Sequence, residues 1–129
     1  MLPHHNVIAF RLKTENATKP IKQFCSNVGY QLHSAEEKII PANGRALIET
    51  DLTFYFPFGY YGLLISLPDL AKDKSIDVSV SSVQNGMDTI KVLLINNGEV
   101  DIKIDRFDKI AFMIINKYFD HYVLLENDV

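Results

Sequence analysis

A chain of 129 residues, 47% hydrophobic and 22% charged, has the size and make-up of one folded domain, which excludes disorder as the default reading. Its formal charge of −3, with 13 Lys and Arg scattered along the chain, excludes the concentrated basic face that releases phosphate counterions, so no nucleic-acid partner is expected. No apolar run approaches the roughly 20 residues that span a bilayer, so no membrane span is expected, and the first five residues lack the order of a signal peptide. The lone Cys25 cannot close an intrachain disulfide and is expected to fill space in an intracellular, reducing setting. The sequon Asn16-Ala17-Thr18 is silent there.

The dominant period is two, the signature of half-buried strands. Ile8, Phe10 and Leu12 suggest a first strand, with Arg11 facing water. Between Ala46 and Phe56, residues Ala46, Ile48, Leu52, Phe54 and Phe56 share one face, while Glu49, Asp51, Thr53 and Tyr55 share the other. Leu67 to Lys72 is the best helical window and is too short for more than one or two turns. Ile76, Val78 and Val80 alternate with Asp77 and Ser79, and Val100, Ile102 and Ile104 alternate with Asp101 and Lys103. Val92–Ile95 and Ile110–Ile115 are apolar on both faces, so each must be covered from two sides.

The six glycines fall at or near the ends of these runs. Asn85-Gly86 and Asn97-Gly98 are the strongest hairpin signals, because both central residues of a type I′ turn need positive φ. Asn43-Gly44 and Phe58-Gly59 mark two more reversals. Many short strands joined by tight turns describe a single all-β domain over residues 1–129, a barrel or jelly-roll-like sandwich, with flexible ends at 1–6 and 126–129.

Motifs that announce chemistry are missing. There is no GxxxxGK[ST], no GxGxxG and no CxxC, so phosphate loops, dinucleotide folds and zinc ribbons lack support, and no cofactor is expected. His4 and His5 lack a third ligand and read as a solvated pair, so no metal is expected. His33 and His121 stand in strand-like stretches and read as structural or surface residues.

Taken in order, the segments resemble the trimeric dUTPase family, all-β enzymes that split dUTP into dUMP and pyrophosphate. Residues 11–20, RLKTENATKP, resemble that family's opening strand and A-x-x-P loop. Gly29-Tyr30-Gln31-Leu32 resembles its first motif, usually A-G-Y-D-L. Residues from Pro41 through Gly62 match the next strands and turn, Ile76-Asp77-Val78 leads into the third-motif hairpin, and Asp108-Lys109-Ile110-Ala111 resembles the fourth motif, usually G-D-R-I-A-Q.

The departures fall where the resemblance puts the chemistry. Gln31 stands for an acid that helps hold magnesium through water, and a neutral amide lacks the charge a hard cation demands. Leu67-Pro68-Asp69 replaces an R-S-G phosphate clamp. Gln84 replaces the aspartate taken as general base for the attacking water, and Met87 a tyrosine that stacks on deoxyribose. Phe107 and Phe112 replace Gly and Gln of the fourth motif, and no glycine follows Gly98 to supply the glycine-rich fifth. Read this way, the chain is expected to be a non-catalytic, adenovirus-like viral dUTPase-fold protein, a homotrimer that recruits a host protein. The alternative is a nucleotide-binding protein or a divergent dUTP pyrophosphatase with an altered site. Asp128 and Val129 are candidate partner-binding residues, since a free carboxylate behind an aliphatic residue suits a PDZ groove.

Overall fold

The computed structural model describes residues 7–22 and 29–129. Cys25, His4 and His5 lie outside the described residues. Twelve strands are described: β1 (Ala9–Leu12), β2 (Ile21–Lys22), β3 (Gly29–His33), β4 (Lys38–Ile40), β5 (Arg45–Glu49), β6 (Leu52–Tyr55), β7 (Tyr60–Ile65), β8 (Ile76–Val78), β9 (Ser81–Val83), β10 (Lys91–Asn96), β11 (Ile102–Ile104) and β12 (Lys109–Lys117). One α-helix, α1 (Pro68–Lys74), lies between β7 and β8. The all-β expectation holds, as strands packed in four small sheets around one core: β1-β6, β5-β10-β8, β11-β4, and a five-stranded sheet β2-β3-β12-β7-β9.

Alternation decides which side chains enter the core. In β5 and β6, Ile48, Leu52, Phe54 and the following Phe56 are buried, with Thr50 between them fully so. The run breaks at Asp51, whose φ of 57° turns the chain between two strands belonging to different sheets. Thr50 repairs the break: its Oγ1 donates to the Ile90 carbonyl at 2.7 Å and accepts from the Leu52 N–H at 3.2 Å. β10 and β12, apolar on both faces, are interior strands of their sheets, which explains their composition. Each large side chain so buried contributes about 1.5–3 kcal/mol relative to exposure.

Several expectations give way. Val80 and Val100 lie outside the core, 64% and 66% exposed, because the strands they were assigned to are shorter than the alternation. Phe10 and Leu12 are exposed in this single chain, since β1 pairs with β6 alone. Neither Asn-Gly pair forms a two-residue hairpin. β9 pairs with β7 whereas β10 pairs with β5 and β8, and β11 pairs with β4. Of those two pairs only Gly86 has positive φ, at 84°. Phe58-Gly59 does make a tight turn: Gly59 sits at φ 90° and the Tyr60 N–H donates to the Pro57 carbonyl at 3.2 Å.

Candidate active site

The five-stranded sheet organises the site. On its inner face Leu32, Met113, Leu64 and Val83 are buried in the core. On its outer face the register sets Gln31, Phe112 and Ile65 in one row across β3, β12 and β7, then Ile114 and Leu63 in the next outer row, with Ser82 beside Leu63. Leu67 follows Ile65 by two residues and is itself buried, capping α1 with backbone alone, while Pro68 opens the helix where its missing N–H costs nothing. Asp69 occupies the first helical turn, exposed. Three stretches far apart in sequence, around Gln31, Leu67 and Phe112, are therefore neighbours at one end of the sheet.

Gln84 and Met87 are not there. Gln84 follows Val83, which pairs with Gly62, so it is level with Tyr61, four residues along β7 from Ile65. At about 3.3 Å per residue that is roughly 13 Å within one chain. The candidate positions thus divide into two groups at opposite ends of β7.

The loop from Gln84 to Asp88 separates two clefts. On one side a cavity of about 600 Å³ is lined by Tyr60, Tyr61, Ser82, Gln84, Asn85 and Tyr118. None of these side chains carries a formal charge, so the cavity offers ring faces and amide and hydroxyl hydrogen bonds. Its wall is stiffened by aromatic contacts: Phe58 meets Tyr118 edge-on at 6.0 Å, Tyr61 meets Tyr118 at 6.3 Å, and the Lys117 ammonium lies 5.7 Å from the Tyr60 ring centroid. Gln84 Nε2 donates to Ser82 Oγ at 3.1 Å.

On the other side a cavity of about 440 Å³ is lined by Arg11, Lys13, Tyr55, Met87, Asp88 and Thr89, among others. This cleft is charged, with two cations facing one carboxylate. Arg11 donates to the Tyr55 hydroxyl, and that contact, with Asp88 adding a smaller attraction, raises the guanidinium pKa above its ordinary value. Thr89 donates to Glu49 Oε1 at 2.8 Å, and Lys91 pairs with the same oxygen at 3.6 Å. Asp88 and the tyrosine wall were not singled out in the sequence, and Arg11 was read there only as a water-facing strand residue. Asp88 lines this cleft together with Gly86, Met87 and Thr89 of the same loop.

Among the described residues no three His, Cys, Asp or Glu come together in a way that could hold a metal ion. Among the described residues the neutral Gln31 lacks the charge that a hard cation demands, and no reaction step is routed through a metal. At the other end of the chain Glu126–Asp128 form a single 3₁₀ turn, Asp128 donating its N–H to the Leu125 carbonyl at 2.8 Å, and Val129 is 95% exposed.

Comparison with known proteins settles the class. The dUTPase family model matches residues 15–129, and the chain belongs to the dUTPase family. It is 34% identical over 113 residues to a probable deoxyuridine 5'-triphosphate nucleotidohydrolase of Schizosaccharomyces pombe, covering 87% of this chain and 81% of that one. It is 37% identical over 115 residues to the tomato (Solanum lycopersicum) protein of that name, covering 87% and 68%. A deoxyuridine 5'-triphosphate nucleotidohydrolase of Fowl adenovirus A serotype 1 is 34% identical over 117 residues, covering 90% and 65%. In fold, the Staphylococcus bacteriophage 80alpha dUTPase with dUpNHpp superposes with a TM-score of 0.87 at 19% identity, covering 93% of this chain and 88% of that one.

These relatives overturn the expectation of a non-catalytic host adaptor, since the proteins that match over most of the chain are named as nucleotidohydrolases. That expectation counted replaced side chains one position at a time. Such a count treats each charge as tied to one sequence position, whereas the loop after Gln84 sets a carboxylate, Asp88, in the charged cleft with Arg11 and Lys13.

Proposed function

We propose that the chain is a dUTP nucleotidohydrolase. Water adds to the α-phosphorus, the bond to the bridging oxygen breaks, and dUMP and pyrophosphate leave. The observation that carries this reading is the similarity of almost the whole chain to proteins of that name, 34% identical over 113 residues in one instance. The neutral tyrosine cavity suits a planar base that hydrogen-bonds to amides, and the charged cleft suits the phosphates. In this reading Arg11 and Lys13 supply positive charge where negative charge gathers, and Asp88, lining the same cleft, takes the proton from water.

The chain assembles as a homotrimer in this reading. Two features support it. Phe112, Ile65, Ile114 and Leu63 make an apolar outer sheet face that is only half-buried, and Tyr122, Val123 and Leu125 are 93%, 87% and 70% exposed. The separation of Gln31 and Leu67 from Gln84 along β7 also fits a site completed by a neighbouring copy. Pyrophosphate release from dUTP by purified protein tests the activity. Turnover should follow the protein through purification, and Asp88→Asn should lower kcat by about 10²–10⁴-fold. Release no faster than buffer would overturn the reading.

A further inference from the structure

The Gln84–Asp88 loop forms part of the wall of both clefts, yet its inner contacts are slight. The Gln84 N–H points at the Met87 sulfur at 3.2 Å and its side chain reaches Ser82, both within the same segment. A Cβ at Gly86 would meet nothing within 4 Å. The rear of the loop is tied down by Thr89 and Ile90: the Ile90 N–H donates to the Leu52 carbonyl at 2.7 Å. The front is tied by one side chain. Asn85 Oδ1 accepts the Phe56 N–H at 2.7 Å, and Asn85 Nδ2 donates to the Phe56 carbonyl at 2.8 Å.

β6 ends at Tyr55 and β9 at Val83, so no ladder joins these segments here and the amide replaces the missing strand partner. Phe56 is a buried anchor, 2% exposed and stacked on Phe54 at 6.0 Å. It also leads into the Pro57–Tyr60 turn that delivers Tyr60 and Tyr61 to the opposite wall. One amide therefore fixes the spacing of both walls of the tyrosine cavity.

We propose that Asn85 is a positioning residue, clamping the loop that carries Gln84 and Asp88 so that nucleotide and proton acceptor meet in register. The inference rests on the dUTP reading above. Asn85→Ala removes both bonds; Asn85→Asp keeps the acceptor but sets a carboxylate oxygen against the Phe56 carbonyl. Both should lower kcat/KM for dUTP about 10–100-fold well below the unfolding temperature, with kcat itself falling. Amide exchange at Phe56 and at residues 84–88, measured without nucleotide, should quicken in both. A purely structural role would lower the unfolding midpoint and leave kcat and KM of the folded enzyme at wild-type values, which would overturn the proposal. If the wild type hydrolyses no dUTP, the functional reading falls. Faster exchange in Asn85→Ala would then still uphold the clamp, and unchanged exchange would remove that too.

Discussion

Gly62 and Met113 approach so closely on neighbouring strands that a methyl group on the glycine has no room: an added Cβ would lie 2.7 Å from Met113 Sδ, 2.9 Å from its Cγ and 3.1 Å from Phe56 Cζ. Met113 is fully buried, so its thioether cannot swing into solvent. Gly62→Ala should overpack this point and destabilise the fold by about 1–3 kcal/mol. Urea unfolding checks it, with a lower midpoint and an unchanged slope. Adding Met113→Ala to Gly62→Ala should cost less than the two changes summed, since the pair shares one space. Simple additivity would show that the strands part rather than the side chain yielding.

Ser75 ends α1 at φ 56° and ψ 32°, a left-handed conformation, with its N–H donating to the Leu70 carbonyl. A residue with a Cβ pays about 1–2 kcal/mol there, and glycine gives back about 0.5–1 kcal/mol through its freer unfolded chain. Ser75→Gly should therefore stabilise the protein by up to about 1.5 kcal/mol. A lowered urea midpoint would refute this account of the helix end.

His33, the last residue of β3, pairs in register with Lys109 and is 6% exposed. Its Nδ1 is buried and has no hydrogen-bond partner among the described residues. Burial first, and then the Lys109 ammonium, hold its pKa below the ordinary 6.5. The folded state binds fewer protons than the unfolded state between the two values, so stability rises with pH in that window. His33 should contribute fully above about pH 6.5 and less as pH falls below it. Relative to His33→Leu, the wild type should lose stability as pH falls from 7.5 to 5. A pH-independent difference would mean that the fold leaves the His33 pKa unshifted.

What the sequence revealed follows from what a one-dimensional pattern carries. Period-two alternation placed Ile48, Leu52, Phe54 and Phe56 in the core because the choice of face is local. It could not see that Asp51 breaks that run between two sheets, or that Val80 lies past the end of β8. The Asn-Gly pairs misled because the Asn85 side chain binds Phe56, 29 residues away, rather than shaping its own turn. In the site, the row of Gln31, Phe112 and Ile65 depends on the register of three strands, and the cleft of Asp88 depends on bringing that loop against Arg11 and Lys13, far away in sequence. Both are long-range properties that no residue type announces.

The segment after β12 gives the most direct test of assembly. Tyr122, Val123 and Leu125 are side chains that a soluble chain normally covers, yet they are 93%, 87% and 70% exposed. In the trimer reading each arm lies against a neighbouring copy, and burying a side chain of this size is worth about 1.5–3 kcal/mol. Val123→Asp with Leu125→Asp should then dissociate the assembly, because six new carboxylates per trimer would need burial. The same change should leave the fold of the single chain intact, since neither side chain belongs to its core. Light scattering at micromolar concentration reads the mass, and circular dichroism reads the fold. The double variant should have a third of the wild-type mass with an unchanged β spectrum. A wild-type mass of one chain would sink the trimer, and a variant that stays trimeric would move the interface to the Phe112–Leu63 face of the sheet.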